Sequence, residues 1–208
     1  MYRGWLKQVG AVVLVLGALL GAAAPARAGW AHYSTSPVYA FANGAVVPGA
    51  LATLVREETG ATMTLRTSGL KAGTAITIWW VVFNRPDQCT HGEGPFRCGP
   101  GDLLIMGGSP AVQSSLLYAT GHVIGGDGRG DFAARLNVGD TRGALFGPGL
   151  VNPMGAHIHL VVHSHGPAIP GLVDEQISTF GGGCNNAPAG TGTPGPNTCE
   201  DLQFAVFE

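Results

Sequence analysis

The run from Thr74 to Phe83 restricts the fold most, because its ten residues are all β-branched, aromatic or small. Its second half, from Trp79 onward, is apolar at every position. A strand with one face in water would alternate apolar and polar side chains, whereas a strand buried on both faces reads as a continuous apolar run. The segment therefore predicts a central β-strand that the rest of the chain covers on both sides.

Short strand-forming segments separated by glycine-rich turns recur along the chain. They are residues 50–57, 61–67, 114–124, 130–136, the histidine-rich segment 157–165 and residues 202–207. Gly125-Gly-Asp-Gly128 predicts a hairpin turn between two of them. Residues 111–117 are the best candidate for a turn or two of helix. We therefore expect a mostly β protein, a single antiparallel β-sandwich of Greek-key or immunoglobulin-like type with few or no helices.

The first 28 residues have the pattern of a secretory signal peptide. A basic region, 1–7, precedes an apolar run, 9–24, and Ala26-Arg27-Ala28 is a small-x-small cleavage pattern. Cleavage after Ala28 is expected, which predicts a secreted or periplasmic protein with one domain over residues 29–208. No second long apolar segment follows, so no membrane span is expected after cleavage. A Gly/Pro-rich loop is expected at about 181–198.

Loss of the leader would leave 8 Lys and Arg against 13 Asp and Glu, with Lys71 as the only lysine. Proteins that bind nucleic acid neutralise several phosphates with clustered cations. So few cations argue against a nucleic-acid partner.

Four cysteines, an even number, predict two disulfides in an oxidising compartment. Three connectivities are possible. Local pairing of Cys89 with Cys98 and of Cys184 with Cys199 is favoured, because it closes two loops that have almost no apolar content to order them. The rival interpretation is a Cys/His metal site that includes His91, although the spacing matches no zinc pattern.

Four of the seven histidines fall within nine residues at an alternating spacing: His157, His159, His163 and His165. In an extended chain these side chains share one face, while Ile158, Leu160 and Val162 lie on the other. One interpretation is the polar, solvent-facing half of an amphipathic strand, with some imidazoles bonded to backbone. The alternative is a copper or zinc site.

A metal site on this strand would use neighbouring pairs of histidines. Residues two apart on a strand are about 6.5–7 Å apart at Cα, close enough for both imidazoles to reach one ion. The candidate pairs are His157 with His159, and His163 with His165, and each needs a third ligand. The candidates by residue type are His122, Asp127 and Asp131.

Short motifs resemble known families. Ser68-Gly-Leu70, Ala156-His-Ile-His159 and Gly166-Pro167 resemble the chordin-type (CHRD) domain. Trp79-Trp80-Val-Val-Phe-Asn84 and the stretch 165–171 are similar to a group of exported bacterial proteins without assigned activity, a likeness that implies no chemistry.

Gly155-Ala-His-Ile-His159 is also similar to the copper-binding strand of Cu/Zn superoxide dismutases. That resemblance implies that His157 and His159 are copper ligands on a Greek-key barrel. Those enzymes have further histidine ligands after the motif, whereas this chain has no histidine after His165.

Other catalytic patterns have no support in the sequence. It has no Gly-x-Ser-x-Gly motif for a serine nucleophile, and paired disulfides would leave no thiol. Trp79 and Trp80 could stack on a sugar if exposed, but in so apolar a run at least one is expected in the core. Two functions remain: an exported, non-enzymatic binding or surface-associated module with no assigned cofactor, and a copper- or zinc-binding protein or metalloenzyme that uses residues 157–165.

Overall fold

Nine antiparallel strands form one continuous, curled sheet in the computed structural model, which describes residues 30–208. The predicted leader and its cleavage site lie outside the described residues. The expectation of a mostly β protein is confirmed.

The sheet brings strands from distant parts of the chain side by side. In chain order the strands are β1 (His32–Ala40), β2 (Val46–Glu57), β3 (Gly60–Thr67), β4 (Thr74–Phe83), β5 (Ser114–Val123), β6 (Gly130–Asn137), β7 (Ala144–Phe146), β8 (His157–Pro167) and β9 (Glu200–Phe207). Their order across the sheet is β6-β3-β2-β1-β9-β8-β4-β5-β7. The most apolar segment, β4, lies between β8 and β5, with Trp80 opposite Leu160.

The curled sheet encloses one hydrophobic core with its concave face. Alternate residues of β4 and β8 point inward, among them Trp80, Ile158 and Leu160, and they pack with Leu54 and Met63 from the other half of the sheet. The opposite residues of β4, including Trp79, belong to a second apolar cluster on the outer face. All ten residues of β4 are therefore buried, as the sequence predicts.

Two disulfide-closed segments cover the outer face of β4 and β8. Cys89 pairs with Cys98 and Cys184 with Cys199, which confirms the expected local connectivity. The first bond closes part of the segment 84–113 and the second part of the segment 168–199. Cys98 and Phe180 pack directly on the outer apolar cluster.

The expected hairpin between residues 114–124 and 130–136 is wrong. The turn at Gly125–Gly128 is present, but β5 pairs with β4 and β7, whereas β6 pairs with β3 at the other edge of the sheet. The turn therefore carries the chain from one half of the curled sheet to the other. A turn sequence encodes a change of direction but not which strand receives the hydrogen bonds.

The helical turn expected near residues 111–117 is present only at the start of that range. A 3-10 turn at Pro110–Val112 leads into β5, which begins at Ser114. The part of the chain that the structure describes contains one short α-helix, α1 (Val173–Gln176). Among residues 30–208, no helix is long and apolar enough to span a membrane.

Candidate functional site

A cleft of about 390 Å³ lies between the outer face of the sheet and the two covering segments. Its floor comes from outward-pointing residues of two strands: Trp79, Val81 and Phe83 of β4, and His159 and Val161 of β8. It is lined by Phe41, Trp79, Val81, Phe83, Pro100, Leu103, Ile105, Met106, Leu116, Leu145, His159, Val161, Phe180, Pro188, Thr191 and Asp201. A second cleft of about 370 Å³ adjoins it and shares Phe41, Pro100 and His159.

The first histidine pair links the cleft to the interior. His157 and His159 project from β8 onto the outer face, and their Nε2 atoms are 2.8 Å apart. His157 is 1 % exposed, and its Nδ1 lies 4.0 Å from the carboxylate of Glu208. The tautomer that places a proton on His157 Nδ1 directs that N–H toward this negative charge. His157 Nε2 then accepts from the Nε2–H of His159, which leaves the Nδ1 of His159 as a free acceptor.

Burial keeps both rings of this pair neutral. Desolvation lowers the pKa of His157 to about 4, partly offset by the negative charge of Glu208. Desolvation, and then repulsion from His157, lower the pKa of His159 to about 3. Neutral imidazoles at pH 7 can accept a hydrogen bond or bind a metal.

A buried arginine supports the end of β8 where this pair lies. Arg56 of β2 is 2 % exposed and donates to the backbone carbonyls of Pro153, Ala156 and Phe207 at 2.6–3.2 Å. Its guanidinium thus ties the segment before His157 to the end of β9. Desolvation lowers the pKa of Arg56 below its usual value.

His165, at the other end of β8, belongs to a buried hydrogen-bond chain. Its Nδ1 lies 2.9 Å from the carbonyl of Gly182, which can only accept, so Nδ1 carries the proton. Its Nε2 therefore accepts from the hydroxyl of Thr77 at 3.0 Å, and that hydroxyl accepts from Trp79 Nε1 at 2.8 Å. Desolvation lowers the pKa of His165 to about 4.

His163 lies between His165 and the cleft. Its Nδ1 is 2.7 Å from Asp201 on β9, and its ring stacks on Phe180 with centroids 4.7 Å apart. Its Nε2 is buried and has no hydrogen-bond partner among the described residues. A lone buried imidazole nitrogen of this kind is available to a ligand that is not part of the chain.

The interpretation of residues 157–165 as a solvent-facing polar half is wrong. His157, His163 and His165 are at most 5 % exposed, and His159 is partly buried. The prediction that the four share one face is correct, but the covering segments bury that face. Alternation along a strand shows which side chains lie together and not what packs on them.

The other candidate ligands lie away from these histidines. His122 on β5 stacks on Phe132, Asp131 pairs with Arg66 on β3, and Asp127 caps its own turn. His91 contacts the buried carboxylate of Asp102 at 3.3 Å. None of the first three joins a cluster of three or more metal-binding side chains in the part of the chain that the structure describes.

The two candidate histidine pairs differ in the potential metal ligands that surround them. His157 and His159 belong to no group of three or more potential ligands within residues 30–208, whereas His163 and His165 lie with Cys184 and Cys199 in one group. The copper site that the dismutase likeness implies thus has two candidate ligands and no third among the described residues.

Sequence reasoning missed Arg56, Glu208 and the cleft itself. Arg56 lies at the end of a predicted strand, where a charged residue normally faces water. The one available signal was that β4 needed a cover on both faces, which required apolar segments outside the sheet. No protein-family model, curated protein or solved structure matches this chain.

Proposed function

We propose that this protein is an exported, non-enzymatic binding module that holds a small, largely apolar ligand in the outer cleft. In this proposal the two halves of the curled sheet pack as a β-sandwich, and one outer face of that sandwich carries the site. The cleft is the observation that supports the proposal.

The size and lining of the cleft are those of a ligand site. Small-molecule sites have volumes of about 300–1,000 Å³ and apolar, aromatic walls with a few polar groups. This cleft, of about 390 Å³, is lined by the aromatic rings of Trp79, Phe83 and Phe180, and its polar side chains are His159, Thr191 and Asp201. No Ser, Cys or Lys is among the described lining residues, which favours binding over covalent catalysis.

His159 gives the site a chemical preference. Its Nδ1 makes no hydrogen bond within residues 30–208, and its pKa of about 3 keeps it an acceptor at neutral pH. A ligand with one hydroxyl or N–H donor on an apolar body would satisfy that acceptor. The same ligand without the donor would leave it unpaired in an apolar cleft, which costs about 1–3 kcal/mol.

Binding of 2-naphthol and 2-methoxynaphthalene by calorimetry tests this proposal. An apolar ligand of this size that fills the cleft should bind with a Kd on the order of 10–100 µM. We expect 2-naphthol to bind at least about tenfold more tightly than the methoxy compound, which lacks the donor. His159→Phe should remove this preference while retaining binding of the methoxy compound.

Matched surface variants locate the binding. Ile105→Asp places a charge on a cleft wall at a residue that is 58 % exposed, so it should weaken binding at least about tenfold with little effect on the fold. Val138→Asp, at an exposed valine outside the cleft, is the control. Equal effects of the two substitutions, or no heat of binding with either compound at millimolar concentration, would contradict the proposal.

Export is tested by the intact mass of the protein recovered outside the cytoplasm. We expect an N-terminus at Gly29 and no alkylation by iodoacetamide until a reductant is added. After reduction, four alkyl groups should add, because Cys89, Cys98, Cys184 and Cys199 pair within the chain. A mass that retains residues 1–28, or alkylation without reduction, would count against export.

A further inference from the structure

Four buried side chains converge beside the cleft: His163, His165, Cys184 and Cys199. A potential ligand atom of each lies within 4.8 Å of the other three, and all four residues are buried. In the oxidised protein the two sulfurs are bonded to each other. Because the thiolate is the metal ligand, the oxidised cluster offers a cation only its two imidazoles.

Each imidazole already has a hydrogen-bonding group at the ring nitrogen that would point away from a metal. A ligating histidine directs its other ring nitrogen to a carboxylate, carbonyl or similar acceptor, which fixes the ring. Asp201 lies 2.7 Å from Nδ1 of His163, and Thr77 Oγ1 lies 3.0 Å from Nε2 of His165. These contacts leave Nε2 of His163 and Nδ1 of His165 for a metal.

The two remaining nitrogens have different states in the oxidised protein. His163 Nε2 is buried without a partner among the described residues. His165 Nδ1 donates to Gly182 O and lies 3.5 Å from the Sγ of Cys184. If its proton moved to Nε2, that nitrogen would donate to Thr77 Oγ1 and Nδ1 would face the sulfur as a bare donor atom.

We propose that reduction of the Cys184–Cys199 disulfide converts this cluster into a tetrahedral Cys2His2 site for zinc or a similar divalent cation. A dithiol reductant supplies two electrons and two protons and becomes a disulfide, while the Cys184–Cys199 bond breaks to give two thiols. Each thiol releases its proton when its sulfur binds the metal, so one cation displaces two protons.

The geometry requires only a local change. Zn–S distances of about 2.3 Å in a tetrahedron place two sulfurs about 3.8 Å apart, so the sulfurs must separate after reduction. Gly181-Gly-Gly183 immediately precedes Cys184, and its amides donate to the carbonyls of Thr191 and Thr193, so the separation of the sulfurs requires these local hydrogen bonds to adjust. The site does not depend on the proposed ligand cleft.

Cobalt binding to a Cys89→Ser/Cys98→Ser variant tests the proposal, because that variant removes the two cysteines that, together with Asp102, form the other group of potential metal ligands. In tris(2-carboxyethyl)phosphine, we expect one Co²⁺ per chain with the visible bands of tetrahedral cobalt and thiolate-to-cobalt charge transfer. Zn²⁺ should abolish these bands by displacement. The oxidised variant should show none of them.

Further variants assign the ligands. Replacement of both Cys184 and Cys199 by Ser should abolish the charge-transfer bands, and His163→Asn or His165→Asn should weaken Co²⁺ binding at least about tenfold. Asp201→Asn should weaken it by about 10–100-fold through loss of the orienting contact. His122→Asn, outside the cluster, is the control and should leave binding unchanged.

Two results would overturn the proposal. One is absence of Co²⁺ uptake by the reduced protein, and the other is uptake that is unchanged in His163→Asn and His165→Asn. If reduction unfolds the domain, added Zn²⁺ should restore its native circular dichroism, because metal binding contributes to folding. Failure to restore it would also contradict the site.

Discussion

Lowering the pH from 7 to 5 is expected to reduce the free energy of unfolding by on the order of 5 kcal/mol. The cause is the burial of His157, His159 and His165, which lowers their pKa values to about 4, 3 and 4. Well above pH 6.5 these rings are neutral in both the folded and the unfolded state. As the pH falls below about 7, these three rings become protonated in the unfolded chain but stay neutral in the folded protein. Folding therefore becomes less favourable as the pH falls.

The magnitude follows from the size of these shifts. A histidine with a pKa near 6.5 when unfolded and about 4 when folded loses about 2 kcal/mol between pH 7 and pH 5. Urea unfolding at pH 7, 6 and 5 measures the sum. Few carboxylates with ordinary pKa values become protonated in this window, so histidines dominate it.

Single substitutions separate the contributions. In His165→Asn the decrease between pH 7 and pH 5 should be smaller by about 2 kcal/mol, because one shifted group has been removed. A free energy of unfolding that stays level down to pH 5 would show that these imidazoles are hydrated in the folded protein.

Replacing Arg56 with Met is expected to lower the free energy of unfolding by about 3–5 kcal/mol. Arg56 donates to the backbone carbonyls of Pro153, Ala156 and Phe207, and the apolar side chain would leave these acceptors without partners. A loss of this size should lower the melting temperature by roughly 10–15 °C in a domain of this length.

An exposed arginine on the adjacent strand provides the matched control. Arg66 pairs with Asp131 across β3 and β6, and both side chains are more than 70 % exposed. Arg66→Met should therefore change the free energy of unfolding by less than about 1 kcal/mol. Similar melting temperatures for the two variants would show that water replaces the bonds of Arg56.

The sequence predicts a strand best where the pattern of its own side chains shows which of its faces are buried. Residues 74–83 match β4 at both ends, because a run that is apolar on both faces fits only a central strand. The sequence did not predict strand β1, because many of its residues are polar and Pro37 interrupts it. That proline lies where the pairing register with β2 shifts, so the sheet accommodates it.

The candidate site was less predictable because it depends on contacts between distant parts of the chain. Alternation placed four histidines on one face, and cysteine spacing gave the disulfides. Neither pattern shows that Cys184 lies beside His165, or that Asp201 faces His163 across two neighbouring strands. Such contacts follow from sheet order and from loop packing, which have no periodic signal.

The cleft has a floor in the sheet and walls in the covering segments, and this division determines which of its residues can be substituted without disturbing the fold. Its floor is part of the sheet, where substitutions disturb packing. The walls at Leu103–Met106 and Phe180–Thr191 lie in the connecting segments between strands. Wall residues can therefore be exchanged while the folded framework stays intact. If the cleft holds a ligand as proposed, a library randomised at Leu103, Ile105 and Met106 would give variants of altered selectivity with the same fold.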